Sequence, residues 1–338
     1  MKNMYTDQYH EVDLSEFSFL VTGGAGFIGS NLVEYLLKYG AKKVRVLDNL
    51  STGFQKNIDL FTNHPSFEFI EGDIRDLETC QKACEGIDYI SHQAALGSVP
   101  RSIKDPITTN EVNIGGFLNM LVAARNQKVK RVVYAASSST YGDSKELPKV
   151  EDRIGRPLSP YAVTKYVNEL YADVFSKTYQ MEIIGLRYFN VFGPRQNPEG
   201  AYAAVIPLFV KQLMTYTSPV INGAGDYSRD FTYIKNVVQM NCLAMFTQNE
   251  ESLNTVYNTA VGDRTTLIQL VNLLKEILSV NDQRIEDVKV IHGPNRLGDI
   301  PHSLASVEKA QKLLGYNPTH PINEGLKEAV EWYWKNLK

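Results

Sequence analysis

The chain has 338 residues, a formal net charge of −3, 43% hydrophobic and 22% charged residues, a profile typical of soluble globular proteins. It is long enough for one large α/β domain with a smaller lobe, or for two domains. It contains no uninterrupted apolar run of about 18 residues, no apolar leader and no Lys/Arg cluster, so no membrane span, signal peptide or nucleic-acid partner is expected. Its three cysteines, Cys80, Cys84 and Cys242, show no metal-ligand spacing, so neither a metal nor a disulfide framework is expected and a reducing cytoplasm fits.

Residues 1–17 read as a polar, acidic N-terminal extension. After them the chain alternates strand-like and helix-like segments. Phe19-Leu20-Val21 is a short apolar run ending at Gly23, and Ile28, Leu32, Tyr35 and Leu36 then follow helical spacing. Strands are expected at Val44 to Leu47, Phe67 to Ile70, Tyr89-Ile90 and Val132 to Tyr134. This is the βαβ rhythm of a doubly wound parallel sheet, the Rossmann arrangement, over residues 18–190. Residues 191–338 are broken up by Pro194, Pro198, Pro207 and Pro219. They read as a smaller α/β lobe, with helices near Leu267 to Leu278 and Asn323 to Trp334, sharing a cleft with the first domain.

Between the first strand and helix stands Thr22-Gly23-Gly24-Ala25-Gly26-Phe27-Ile28-Gly29. Gly23 permits a tight turn, Gly26 lets backbone approach a pyrophosphate, and Gly29 lets helix and strand pack closely. The helix N-terminus offers N–H donors and positive dipole to phosphates. Asp48 ends the second strand, where an acid bonds the ribose hydroxyls and repels a 2′-phosphate, so NAD is favoured over NADP. Farther on, Tyr161 and Lys165 stand four apart, on one face of a helix opened by Pro160. A neighbouring ammonium favours a phenolate, which can take a proton from an alcohol. The serine run Ser137-Ser138-Ser139 closes the fifth strand, on the side of an α/β sheet where ligands lie.

These motifs resemble, in order, those of the extended short-chain dehydrogenases/reductases, in the nucleotide-sugar epimerase branch. Asp48 to Gly53, Gly72-Asp73, His92 to Ala95, Arg187 to Pro194, Ser228 to Phe231 and Arg296 to Asp299 extend the match from Phe19 onward. The resemblance implies a cofactor site of Gly23, Gly26, Phe27, Ile28, Asp48, Asn49, Ser51, Thr52, Gly53, Asp73, Ile74, Gln93, Ala94, Ala95, Asn113 and Tyr188, together with Tyr161 and Lys165. It makes Tyr161 the base, Lys165 its partner on the nicotinamide ribose, and Ser137 the hydroxyl that bonds the reacting oxygen. A UDP-sugar would be held by Asn190, Arg229, Arg296 and Asp299, with Ser98, Ser138, Ser139, Ala204, Val205, Asn222 and Ser303 as further contacts. The family also implies a homodimer, with the helix carrying Phe117, Leu118, Leu121 and Val122 and the helix carrying Tyr161 at the interface.

Ser138 and Ser139 occupy the places where related 4,6-dehydratases carry Asp-Glu and where UDP-glucuronate decarboxylases carry Glu. Oxidation at C4, rotation of the 4-keto sugar and reduction from the opposite face then remain, which is 4-epimerisation. Ser303 stands where hexose-restricted epimerases carry Tyr, opening room for a 2-acetamido group. With Ala94 to Ser102, Ala135 to Gly142 and Gly200 to Pro207, this resembles the bacterial UDP-N-acetylglucosamine 4-epimerases of surface-polysaccharide synthesis. UDP-N-acetylglucosaminuronic acid and UDP-glucose are the alternative substrates, with Arg101 a candidate cation for a C6 carboxylate. A regulator that senses NAD without chemistry is the non-enzyme alternative; it would be expected to have lost Ser137, Tyr161 or Lys165.

Overall fold

The structure is a computed structural model that describes residues 4–199, 204–294 and 301–337. Its strands are β1 (Ser18–Thr22), β2 (Lys43–Asp48), β3 (Phe67–Glu71), β4 (Tyr89–His92), β5 (Arg131–Ser137) and β6 (Glu182–Tyr188), followed by the short β7 (Val191–Phe192), β8 (Val220–Asn222), β9 (Ser228–Arg229) and β10 (Thr232–Tyr233), then β11 (Val256–Thr259), β12 (Thr265–Thr266) and β13 (Ile291–Gly293). Among the described residues, seven strands form one parallel sheet in the order β3-β2-β1-β4-β5-β6-β11. The helices are α1 (Phe27–Lys38), α2 (Gln55–Asp59), α3 (Leu77–Cys84), α4 (Val99–Lys104), α5 (Pro106–Asn110), α6 (Phe117–Asn126), α7 (Pro160–Tyr179), α8 (Val205–Met214), α9 (Ile234–Phe246), α10 (Leu267–Ser279), α11 (Glu308–Leu314) and α12 (Ile322–Asn336). None of the described helices is long and apolar enough to cross a membrane.

The sheet is buried on both faces, which is why its strands read as apolar runs rather than as alternating ones. Side chains still divide between the faces with period two. Phe19, Val21, Val44, Val46 and Val133 pack with Leu32 and Leu36 of α1 and Val238 and Met245 of α9. Leu20, Leu47, Val132 and Tyr134 pack with Cys80 of α3, Phe117 and Leu121 of α6, and Phe175 of α7. Phe117 and Leu121, expected at a dimer interface, are therefore core. The outward apolar residues of this region include Val163, Leu170 and Val174 on α7, Ile103 on α4 and Ile107 on α5.

The expected division at residue 190 marks where the chain first leaves the sheet. It later returns, since α9 covers one face and β11 pairs with β6. The smaller lobe has its own core, with Phe209 and Leu213 of α8 meeting Leu270 and Leu274 of α10 and Leu326 and Tyr333 of α12. A capping box between Thr266 and Gln269 starts α10, satisfying two of the N–H groups that a helix start leaves open. The N-terminal extension lies along α1. Tyr9 stacks on Tyr35 with ring centroids 5.5 Å apart, and Tyr5 donates to Asn31 Oδ1 at 2.8 Å.

Candidate active site

The strand order reverses between β1 and β4, and such a switch point opens a crevice at the carboxyl ends of the strands. A cleft of about 400 Å³ lies there, within the range of small-molecule sites. Every residue expected to hold the cofactor lines it except Asn113. Gly23 has φ of +69°, and a Cβ there would come within 2.7 Å of Ala94 N. A Cβ on Gly29 would run into the Gly23 carbonyl. Glycine is thus demanded by the close approach of turn, helix and neighbouring loop. Gly26 caps α1, whose first N–H groups lack intrahelical acceptors and face the cleft.

Asp48 is fixed by its own backbone surroundings, Oδ2 accepting from Ala25 N at 2.9 Å and Oδ1 from Leu50 N at 2.8 Å. Burial raises its carboxyl above the usual range, and these two bonds oppose the rise. At the end of β3, Asp73 accepts from Asn49 Nδ2 at 2.9 Å and from Arg75 Nη2 at 2.7 Å. The Arg75 hydrogen bonds hold it down at about 2. Gln93 Oε1 accepts from the Tyr188 hydroxyl at 3.1 Å, and Asn241 Nδ2 donates to the same hydroxyl at 2.9 Å. Sequence reasoning missed Asn241, which reaches the site from α9 in the second half of the chain. It also missed the lining residues Leu47, Gly72, Leu96, Gly97, Val112, Ala135 and Ala136. All of these but Val112, which lies in the helical turn Glu111–Gly116, share one signal, position at a strand end or in the loop that follows one.

Asn113 stands behind the wall instead of on it. It lies in a π-helical turn, Glu111–Gly116, a feature found often near functional sites. Its amide accepts from Leu96 N at 2.8 Å and donates to Leu96 O at 3.2 Å and Thr164 Oγ1 at 3.1 Å. It thereby ties the loop after β4 to α7.

Ser137, Tyr161 and Lys165 converge at the end of β5. Ser159 caps α7 through Ala162 N at 3.2 Å, and Pro160 opens the helix. Ser137 Oγ accepts from Ser139 Oγ at 2.9 Å and from Ser139 N at 3.2 Å, and Ser137 is the side chain whose influence lowers the Tyr161 phenol. Lys165 Nζ donates to Ala135 O at 2.8 Å. The expected lowering of the Tyr161 phenol by Lys165 is not among the influences on it. Burial raises the phenol above 10, the Ser137 hydrogen bond is the opposing influence, and burial brings Lys165 down to about 8. His92 is held near 3 by burial and then by Lys165, which removes it as a proton carrier. The carboxylates on the described wall are Asp48 and Asp73. Three strand spacings separate β2 from β5, about 14 Å, so Asp48 lies far from Tyr161.

The residues expected to hold substrate fall into separate groups. Ser138 and Ser139 adjoin Ser137. Asn190 is exposed, has φ of +32°, and donates to Asp230 O at 3.0 Å. Arg229 Nη1 donates to Ser228 O at 3.0 Å and Pro301 O at 3.2 Å, and Ser303 N donates to Ser228 O at 3.0 Å, so Arg229 and Ser303 are brought together. Ser98, at φ of +117°, caps α4 through Arg101 N. Ala204 and Val205 begin α8, and Asn222 ends β8 opposite Gly293. None of these nine residues is on the wall of the cleft. Arg296 and Asp299 lie outside the described residues.

Residues 19–260 match the model of the NAD dependent epimerase/dehydratase family. The chain is similar to the UDP-glucose 4-epimerase of Mycolicibacterium smegmatis, with 33% identity over 316 residues, 93% of this chain and 97% of that protein. Its structure is similar to the UDP-N-acetylglucosamine 4-epimerase of Methanobrevibacter ruminantium in complex with UDP-N-acetylmuramic acid. That match has a TM-score of 0.87 and 36% identity, covering 94% of this chain and 98% of that one. It is also similar to the UDP-glucose 4-epimerase of Thermotoga maritima with UDP-glucose, at a TM-score of 0.86 and 35% identity, covering 95% and 100%. With its glycine turn, its strand-end acid and this family match, the chain belongs to the NAD dependent epimerase/dehydratase family, and NAD is its cofactor.

Proposed function

We propose that the protein is a UDP-sugar 4-epimerase acting on UDP-N-acetylglucosamine, which it interconverts with UDP-N-acetylgalactosamine. The observation that carries this reading is the Ser137, Tyr161 and Lys165 grouping at the end of β5, flanked by serines where elimination or decarboxylation would call for a carboxylate. NAD, when bound, supplies the acceptor and donor of hydride at C4.

The chain's own residues do the rest. The Tyr161 oxygen takes the proton of the 4-hydroxyl and later returns it. Ser137 Oγ accepts a hydrogen bond from the Ser139 hydroxyl, which leaves its own O–H free to donate to the Tyr161 oxygen or to the sugar O4. That donation favours the phenolate against the burial that raises it. Lys165, fixed by Ala135 O, keeps two further N–H donors, which would hold the nicotinamide ribose hydroxyls when NAD is bound. Asn190 and Arg229 hold the diphosphate, so the 4-keto sugar can turn about its link to the nucleotide. Ser303, beside Arg229, leaves space for the acetamide. The test is incubation of purified protein separately with UDP-N-acetylglucosamine, UDP-glucose and UDP-N-acetylglucosaminuronic acid, with products resolved by proton NMR. The C4 epimer of the first should form fastest. Faster turnover of either other sugar would move the assignment to that substrate, and loss of water or CO₂ would overturn epimerisation.

A further inference from the structure

One buried carboxylate of the Ser228 to Phe231 segment has no part in the chemistry above. Asp230 is 0% exposed and lies between β9 and β10. Its Oδ1 accepts from Val261 N at 3.0 Å, and its Oδ2 accepts from Gly262 N at 3.0 Å and Ala305 N at 3.3 Å. Its main-chain carbonyl accepts from Asn190 Nδ2 at 3.0 Å. These partners come from different parts of the fold. Asn190 follows β6, Val261 and Gly262 follow β11, and Ala305 lies two residues beyond Ser303. Arg229 is its neighbour in sequence.

One of these partners, Asn190, sits at a φ of +32°, a region uncommon for residues other than glycine. Burying a carboxyl costs free energy that an apolar side chain avoids, and burial pushes this one up to about 7. A group kept at that cost, and bonded to three segments at once, fixes their mutual placement. We propose that Asp230 is a positioning residue for the substrate: it sets Asn190, Arg229 and Ser303 in place relative to the NAD-binding sheet. The inference rests on the reading of the protein as a UDP-sugar epimerase. Asp230 touches no reacting atom; it acts through the residues it ties.

Asp230→Asn keeps the shape, removes the charge and turns at least one of the three amide bonds into an N–H facing an NH₂ group. With UDP-N-acetylglucosamine as substrate, KM is expected to rise about tenfold, the scale of losing one hydrogen bond to a charged acceptor. Saturating kcat should stay within about twofold, because the reacting groups are untouched. Affinity for UDP, measured by calorimetry, should fall with KM while bound NAD per chain stays unchanged. Asp230→Ser, which leaves room for water to complete the amide bonds, should fall between Asp230→Asn and wild type. An unchanged KM overturns the proposal, as does a parallel loss of kcat and NAD. If neither variant folds, the role of Asp230 is stability alone and the proposal also fails. Wild-type protein that binds no UDP would instead overturn the functional reading.

Discussion

Gly29→Ala puts the closeness of the phosphate turn to a quantitative test. In a helix interior, alanine is favoured over glycine by up to about 1 kcal/mol. At this position the added Cβ would lie 2.8 Å from Gly23 C and Gly24 Cα, and closer still to Gly23 O. All three are backbone atoms of the turn and cannot rotate away as a side chain does. Overpacking of this kind costs about 1–3 kcal/mol, occasionally more. The clash outweighs the helix gain, so a net loss of about 1–2 kcal/mol is expected. The atoms pushed aside belong to the turn whose Gly23 and Gly26 line the cofactor cleft, so NAD should be lost as well. Gly115→Ala is the control, since nothing lies within 4 Å of the Cβ it would add. It should be neutral or stabilising by up to about 1 kcal/mol. Thermal unfolding with and without excess NAD separates the intrinsic loss from the stabilisation that bound cofactor contributes, and acid release measures NAD per chain. Gly29→Ala with wild-type Tm and a full NAD complement would refute the argument.

Tyr161→Phe removes the proton acceptor and keeps the ring, so kcat should fall about 10²-fold or more with NAD still bound; near wild-type turnover would dismiss Tyr161 as the base. Below about pH 8 Lys165 carries its charge, which favours the phenolate. Lys165→Met should therefore move the rise of kcat/KM to higher pH, and an unshifted profile would exclude that influence. Ser303→Tyr should cost UDP-N-acetylglucosamine about 1–3 kcal/mol in kcat/KM, one to two decades, and cost UDP-glucose much less; an unchanged ratio would place acetamide recognition elsewhere. Val163, Leu170 and Val174 share one exposed face of α7, and an apolar helix face of this kind suits helix–helix packing. Light scattering should find a dimer that Leu170→Glu shifts toward monomer, and a monomeric wild-type chain at micromolar concentration would argue against that surface.

What the sequence disclosed and what it hid divide along a physical line. β1 and β2 read as apolar runs that lead into Gly23 and end at Asp48, and the cofactor role of the glycine turn and of Asp48 follows from local spacing, whereas the other cofactor residues at strand ends are implied by the family resemblance. Two strands of the same sheet escaped that reading. β6 carries the Arg187 and Tyr188 of a recognised motif, whose functional meaning masked the run Glu182 to Leu186. β11 is Val-Tyr-Asn-Thr, and it is buried although its last two residues are polar. Asn258 accepts from the Tyr141 hydroxyl at 2.6 Å and donates to Lys149 O and Ser306 O at 2.9 Å. A polar strand can be buried because partners distant in sequence satisfy it, and no local pattern announces them. The same reason hid Asn241 behind Tyr188, and hid Asp230 among residues whose obvious member was Arg229. Asn113 shows the converse: its presence was anticipated, but its amide is spent on Leu96 and Thr164, holding the loop behind the cleft wall. Local sequence, together with the family resemblance, thus identifies the groups that line the cofactor cleft. The groups that fix their placement are visible only once distant segments meet, and those buried polar residues are where substitution should separate binding from chemistry.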